Sequence, residues 1–239
     1  MKIKNKLNIN YWLRKIYTSK IYQLFFFNNK LNKKVFTAIY KSNHWAQSDN
    51  LSGEIVSVSG PGSNLNKEGF LNLKNNFDKI INEFEIKSIL DMPCGDFLWM
   101  NEFFKKNKNI NYLGIDIVDE LIEENIKKYE NDRIKFKSFD IVNFKTKQNI
   151  DLVFMRDFFI HINNSDIKQI LINLKEMNIK YFAFENYNIL KNKDVTTGKH
   201  RKVNLKIHPF NLDEPIHSFQ DYEVDKSIYF YEKSALKKI

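Results

Sequence analysis

The chain has 239 residues, 43% of them hydrophobic and 15% aromatic, which supplies one good-sized core and excludes a disordered chain. Seven glycines and four prolines exclude collagen-like and linker-rich architectures. The net charge of +9 is unevenly placed: residues 1–48 carry ten Lys and Arg and no Asp or Glu, while the remainder holds 28 basic and 29 acidic residues. A near-neutral body with a basic arm weakens a nucleic-acid reading of the body: no DNA partner is expected, and RNA or an anionic membrane would be met through the arm.

The lone cysteine, Cys94, excludes an intrachain disulfide framework and cysteine-based zinc or iron–sulfur sites within one chain. It fits a reducing cytoplasm, the expected location. The densest apolar run, Ile21–Phe27, is far shorter than a membrane span, and no leader-like apolar core with a small-residue cleavage site follows the first residue.

Three segments are expected: a basic helical arm (1–48), a glycine-containing joint (49–65) and a body (66–239). In the arm, Ile9, Trp12, Leu13, Ile16 and Tyr17 share one helical face, and Val35, Phe36, Ile39 and Tyr40 another. The simpler reading is a pair of helices capping the body with solvated lysines; the sharper one is an interfacial helix at the inner membrane face or an RNA surface. The joint contains Ser59-Gly-Pro-Gly-Ser63, a turn whose backbone can approach a ligand.

In the body, Phe70, Leu73, Phe77, Ile80, Ile81 and Phe84 recur at helical spacing. A buried strand at 88–92, a helix at 97–106, a strand at 112–116, a helix through Leu121–Tyr129 and strands at 134–139 and 152–155 follow. A helix capped by Asn164 or Ser165 runs to Met177, and a fifth strand covers 181–185. Residues 186–217 lack a period, and two strand-like runs lie near 219–224 and 227–232. Repeated strand–helix alternation predicts an α/β, Rossmann-like, doubly wound and mostly parallel sheet, closed at one edge by an antiparallel hairpin.

In such sheets ligands sit beyond the carboxyl ends of the strands. There stand Asp91, in the loop Asp91-Met-Pro-Cys-Gly-Asp96-Phe97; Asp116, twenty-five residues later; Asp140; and Arg156-Asp157 with His161 four residues on. A carboxylate at the second strand's end is a bidentate acceptor suited to a ribose diol. Asp140 is placed to accept from an adenine amino group, and Gly95 lets the chain pass near a ligand. An isolated Asp after a strand is usually a turn former or a cap; three in phase with three consecutive strands are a stronger signal.

These residues resemble the class I S-adenosylmethionine-dependent methyltransferases. Ile89–Asp96 is similar to the family's first motif, Tyr112–Asp116 to its second, and Phe139-Asp140 and Asp151–Asp157 with His161 to its third and fourth. The likeness spans residues 68–185 and is nearest to a bacterial branch combining Trp45, Ser59–Ser63 and Pro93–Phe97. Only one of three common loop glycines, Gly95, is present. Phe97 would crowd a pyrophosphate, which argues against a dinucleotide, whereas S-adenosylmethionine has no pyrophosphate.

The resemblance implies that Asp91, Pro93 and Gly95 border the methionine end of the cofactor. It puts Asp116 with Ile117 at the ribose, Asp140 with Ile141 at the adenine, and Asp157 at the amine or the reacting centre. Cys94 reads as packing. His161 is the expected base for an alcohol acceptor, with Asp157 the alternative; a helix-start histidine bonded to backbone is the plainer reading of the same residue. Ser59, Ser63, His200 and Arg201 are expected at the acceptor, Arg201 gripping a phosphate or carboxylate. His200 and His208 lack metal-ligand spacing, so no metal is expected. The branch implies O-methylation of a sugar, a glycan precursor or another small molecule in polysaccharide biosynthesis. The rival readings are an RNA methyltransferase using the arm and a non-catalytic membrane-surface or assembly module on the same fold.

Overall fold

A computed structural model describes residues 9–25, 31–46, 57–65, 68–221 and 225–239. Its centre is a seven-stranded sheet of β1 (Ser88–Asp91), β2 (Asn111–Asp116), β3 (Ile134–Ser138), β4 (Ile150–Met155), β5 (Ile179–Tyr187), β6 (His217–Gln220) and β7 (Lys226–Glu232), in the order β3-β2-β1-β4-β5-β7-β6. The first five are parallel. β7 runs antiparallel between β5 and β6, so the terminal pair closes the edge with its second strand on the inside. The expected strand near 219–224 is β6, at His217–Gln220; 222–224 lie outside the described residues.

Helices α4 (Glu68–Glu83), α5 (Leu98–Phe104), α6 (Asp119–Tyr129) and α7 (Asn164–Glu176) supply the crossovers and the sheet's cover. β4 shows why both faces are filled. Leu152 and Phe154 point into a core with Phe77 of α4 and Phe103 of α5, while Val153 and Met155 point into the opposite core with Ile167 and Leu171 of α7. The helix predicted from Asn164 or Ser165 is capped instead by Asn163, whose side chain accepts from Asp166 N–H.

The arm folds onto the body. Three helices are described, α1 (Ile9–Tyr17), α2 (Lys20–Phe25) and α3 (Leu31–Lys41). α3 buries Leu31, Val35, Phe36 and Ile39 in the same core as β4 and α7, and its Lys33 and Lys41 pair with Asp119 and Glu120 of α6. The aperiodic stretch 186–217 is a brace for this assembly. Val203, Leu205, Phe210 and Leu212 are buried, and a Cβ on Gly198 (φ +84°) would lie 2.5 Å from Val35 of α3 and 2.8 Å from Thr18.

Candidate active site

The chain order reverses between β1 and β4, which opens a crevice at their carboxyl ends. One cavity fills it. Asp91, Pro93 and Gly95 from the loop after β1 line it, with Asp116 and Ile117 after β2, Asp140 and Ile141 after β3, and Arg156 and Asp157 after β4. Ser59 and Ser63 cover it from the joint, and Asn32, Phe36, Tyr40 and Trp45 from the arm.

Three of its carboxyls are raised by burial. Asp91 is pushed up to about 8; it accepts from the Tyr112 hydroxyl at 2.7 Å, and nearby Asp116 adds to the rise. Asp116 is pushed up to about 6, against backbone N–H donors on Val118 (3.1 Å) and Gly95 (3.3 Å). Asp140 also lies above the usual carboxylate range and accepts from Val142 N–H at 3.1 Å.

Asp157 differs. Burial would raise it, but Lys226 and Arg156 outweigh burial and hold it below the usual range. Lys226 is wholly buried, pairs with Asp157, and reaches Asp221 at 2.9 Å. Arg156 grips Asp221 through two bonds of 3.0 and 2.9 Å and donates to the Gly62 carbonyl at 3.0 Å. Asp157 sits at φ +56°, a left-handed conformation, at the start of a turn whose Phe158 and Phe159 N–H groups both donate to buried Glu185.

The joint's turn is fastened over the loop. Asp96 N–H donates to Ser59 Oγ at 2.8 Å, and Val58 N–H to the Asp96 carboxylate at 2.9 Å. A Cβ on Gly95 (φ +54°) would stand 2.3 Å from Ser59 Oγ. Gly95 is therefore required by the turn that lies on it, and it also lines the cavity. Phe97 is a correction. At φ +58° it turns into the core against Tyr112, Tyr129 and Phe136, so it crowds nothing in the cavity. Cys94 is buried, its thiol raised well above the usual value by burial and by Asp116, in keeping with packing.

Three expected residues are not in the cavity wall. His161 stacks on Trp45 (5.0 Å between centroids), and its Nδ1 meets the Lys199 carbonyl at 3.1 Å. Burial lowers it to about 4, which keeps the ring neutral beside Trp45 and weakens it as a proton acceptor. Arg201 donates to the Lys193 carbonyl (3.1 Å), to Asn164 (3.0 Å) and to the Phe159 carbonyl. Three of its five N–H donors are thus engaged by protein oxygens outside the cavity wall. His200 is exposed and stands beside His161 (5.6 Å). No group of three or more potential ligands that could hold a metal ion occurs among the described residues. The sequence reading missed Phe36, Tyr40, Trp99 and Arg156 as cavity residues; Arg156, next to Asp157 at a strand end, carried the one available signal.

The family model for the methyltransferase domain matches residues 89–177. This stretch of the chain is a methyltransferase domain. Comparison with curated proteins gives no match. Among solved structures, the chain is similar to the N-methyltransferase NodS from Bradyrhizobium japonicum in complex with S-adenosyl-L-homocysteine (10% identity, 81% of this chain and 97% of that one, TM-score 0.56). It is also similar to an S-adenosylmethionine-dependent methyltransferase from Clostridium acetobutylicum (14% identity, 67% and 90%, TM-score 0.51). A third match is the methyltransferase domain of bacterial CtHen1 (12% identity, 67% and 97%, TM-score 0.50). At these identities the likeness is one of fold: a mostly parallel seven-stranded sheet with antiparallel edge strands. The cavity's donor set suits the methyltransferase cofactor. Asp116 faces the cavity with acceptor capacity for a diol, and buried Asp91 and Asp116 form an acidic end suited to a cation.

Proposed function

We propose that the chain methylates a small hydroxylated acceptor, a sugar or a glycan precursor, in a bacterial cytoplasm. The observation that carries the reading is the convergence of Asp91, Asp116 and Asp140 from three successive strand ends on one cavity. Asp91, Pro93 and Gly95 would hold the methionine end of the cofactor, Asp116 and Ile117 the ribose, and Asp140 and Ile141 the adenine. The cofactor's sulfonium supplies the methyl group.

The chain's own residues would align and exclude water. Trp45, Trp99 and Phe158 offer aromatic faces beside Ser63 and Asp157, a combination suited to the apolar face and the hydroxyls of a sugar. Asp157, held ionised by Lys226, is a weak proton acceptor but a strong hydrogen-bond acceptor, so its role is to orient the acceptor's hydroxyl. Two of the arm's lysines are engaged by Asp119 and Glu120, which disfavours the RNA reading.

The test is calorimetry of S-adenosylhomocysteine binding, followed by incubation of the protein and S-adenosylmethionine with sugars, sugar phosphates and RNA. Mass spectrometry then looks for a CH2 increment. Binding that Asp116→Ala abolishes, with the increment on a sugar, supports the proposal; unchanged binding in that variant removes the ribose role, and an increment on RNA alone replaces the acceptor.

A further inference from the structure

Of the twelve large hydrophobic side chains exposed among the described residues, six fall within residues 9–25: Ile9, Trp12, Ile16, Ile21, Leu24 and Phe25. On α1 the three are spaced i, i+3 and i+7, one helical stripe. A water-soluble helix pair would turn such a stripe inward. Here Tyr17 and Tyr22 pack inward against the core, and the other fastenings are polar. Gln23 donates to the Thr197 carbonyl at 2.8 Å and accepts from Thr197 N–H at 3.0 Å, and buried Thr18 lies against Gly198. The corner between the helices is thus tied to the body, and its largest apolar side chains are left in water.

Charge accompanies this surface. Exposed Lys15 and Lys20 stand beside it, no acidic residue occurs in 1–48, and Lys15 Nζ lies 4.7 Å from the Tyr11 ring and 5.3 Å from the Trp12 ring. We infer that α1 and α2 dock the protein on an anionic lipid bilayer, with the apolar stripe in the headgroup–acyl boundary and the basic side chains on lipid phosphates. Neither helix is long or apolar enough to span, so the contact lies in the membrane plane. A second copy of the same surface would bring cations together with no carboxylate to offset them. RNA, held by phosphate contacts and by stacking on rings, would leave Ile9, Ile16, Ile21 and Leu24 in water. The inference does not rest on the methyltransferase reading.

The experiment is flotation of the full chain with vesicles of phosphatidylcholine alone or with one-third phosphatidylglycerol, at low and high salt. Two variants accompany it: Trp12→Ser with Phe25→Ser, and Lys15→Glu with Lys20→Glu. All four side chains are exposed, so unchanged melting temperatures are expected. Wild type should float with the anionic vesicles in a salt-sensitive manner, and each variant should lose about tenfold in binding. The inference is overturned if wild type does not float, or if both variants float like wild type. It is also overturned if the serine variant dissolves a concentration-dependent dimer, or if the arm retains RNA while ignoring vesicles.

Discussion

The Asp91 carboxyl should release a proton when the cofactor binds. It is buried and pushed up to about 8, so at pH 7 about nine-tenths of it is protonated in the empty protein. A ligand placing an ammonium or sulfonium beside it favours the ionised form. Binding at pH 7 should then expel about 0.9 proton, falling to about 0.5 at pH 8, and affinity should rise about eightfold between pH 6.5 and 7.5. Calorimetry in phosphate and in Tris measures this directly, because the observed enthalpy varies with the buffer's ionisation enthalpy in proportion to the protons released. Titrations with Asp91→Asn, which keeps an acceptor for Tyr112 but does not titrate, should lose that proportionality, leaving only the ligand's own amine. Equal buffer dependence in wild type and variant, or none in wild type, would refute the placement of a cation beside Asp91.

Lys226→Met should take a buried cation from Asp157 and Asp221, at a cost of about 3–5 kcal/mol in urea unfolding; a loss under 1 kcal/mol would show the cluster relaxing. Gly95→Ala meets both a left-handed backbone and Ser59 Oγ, and should cost at least about 2 kcal/mol, partly restored by Ser59→Gly in the same chain. His161→Ala should leave cofactor affinity near wild type and lower the melting temperature through the lost Trp45 contact, with most turnover retained; loss of turnover at unchanged stability would return His161 to the chemistry. The proton balance also predicts that the empty protein loses stability as pH rises from 6.5 to 8. Asp91 and Glu185, the latter pushed up to about 7 by burial, bind protons more tightly folded than unfolded, so their contribution is full below the unfolded carboxylate range and is lost as pH passes the folded values. A melting temperature that climbs over that interval would contradict this.

What the sequence made legible follows from periodicity. Strand ends can be located to a residue or two in alternating β and α segments, so Asp91, Asp116, Asp140 and Asp157 could be placed on one rim, and all four line the cavity. What escaped depended on contacts distant in sequence. Phe36, Tyr40 and Trp45 reach the cavity because α3 docks on α6 through lysines whose partners are about eighty residues away. Asp157 was offered as a base because Lys226, which neutralises it, lies on the last strand. Residues 186–217 looked like an acceptor loop because they have no period. Their asparagines replace regular pairing: Asn186 accepts from Leu205 N–H at 2.7 Å and Asn192 from Asn204 N–H at 2.9 Å, which lets an irregular segment be buried. Phe97 was judged by its place in a glycine-rich loop, yet one left-handed φ sends it the other way.

The opposed states of the cavity's carboxyls suggest which end receives which ligand. Asp91 and Asp116 are buried with hydrogen-bond donors and, among the described residues, without a salt-bridged cation; burial and the Asp116 charge raise the cost of ionising Asp91, and a cationic ligand would lower that cost and gain affinity from it. Asp157 has already been neutralised by Lys226, so a cation placed there would gain little, whereas a neutral hydroxyl can still donate to its oxygens. On the proposed function the two ends of one crevice would be sorted by charge, cofactor toward Asp91 and acceptor toward Asp157. The sorting requires that Lys226→Met weaken discrimination between neutral and cationic acceptors while leaving the proton released at Asp91 unchanged.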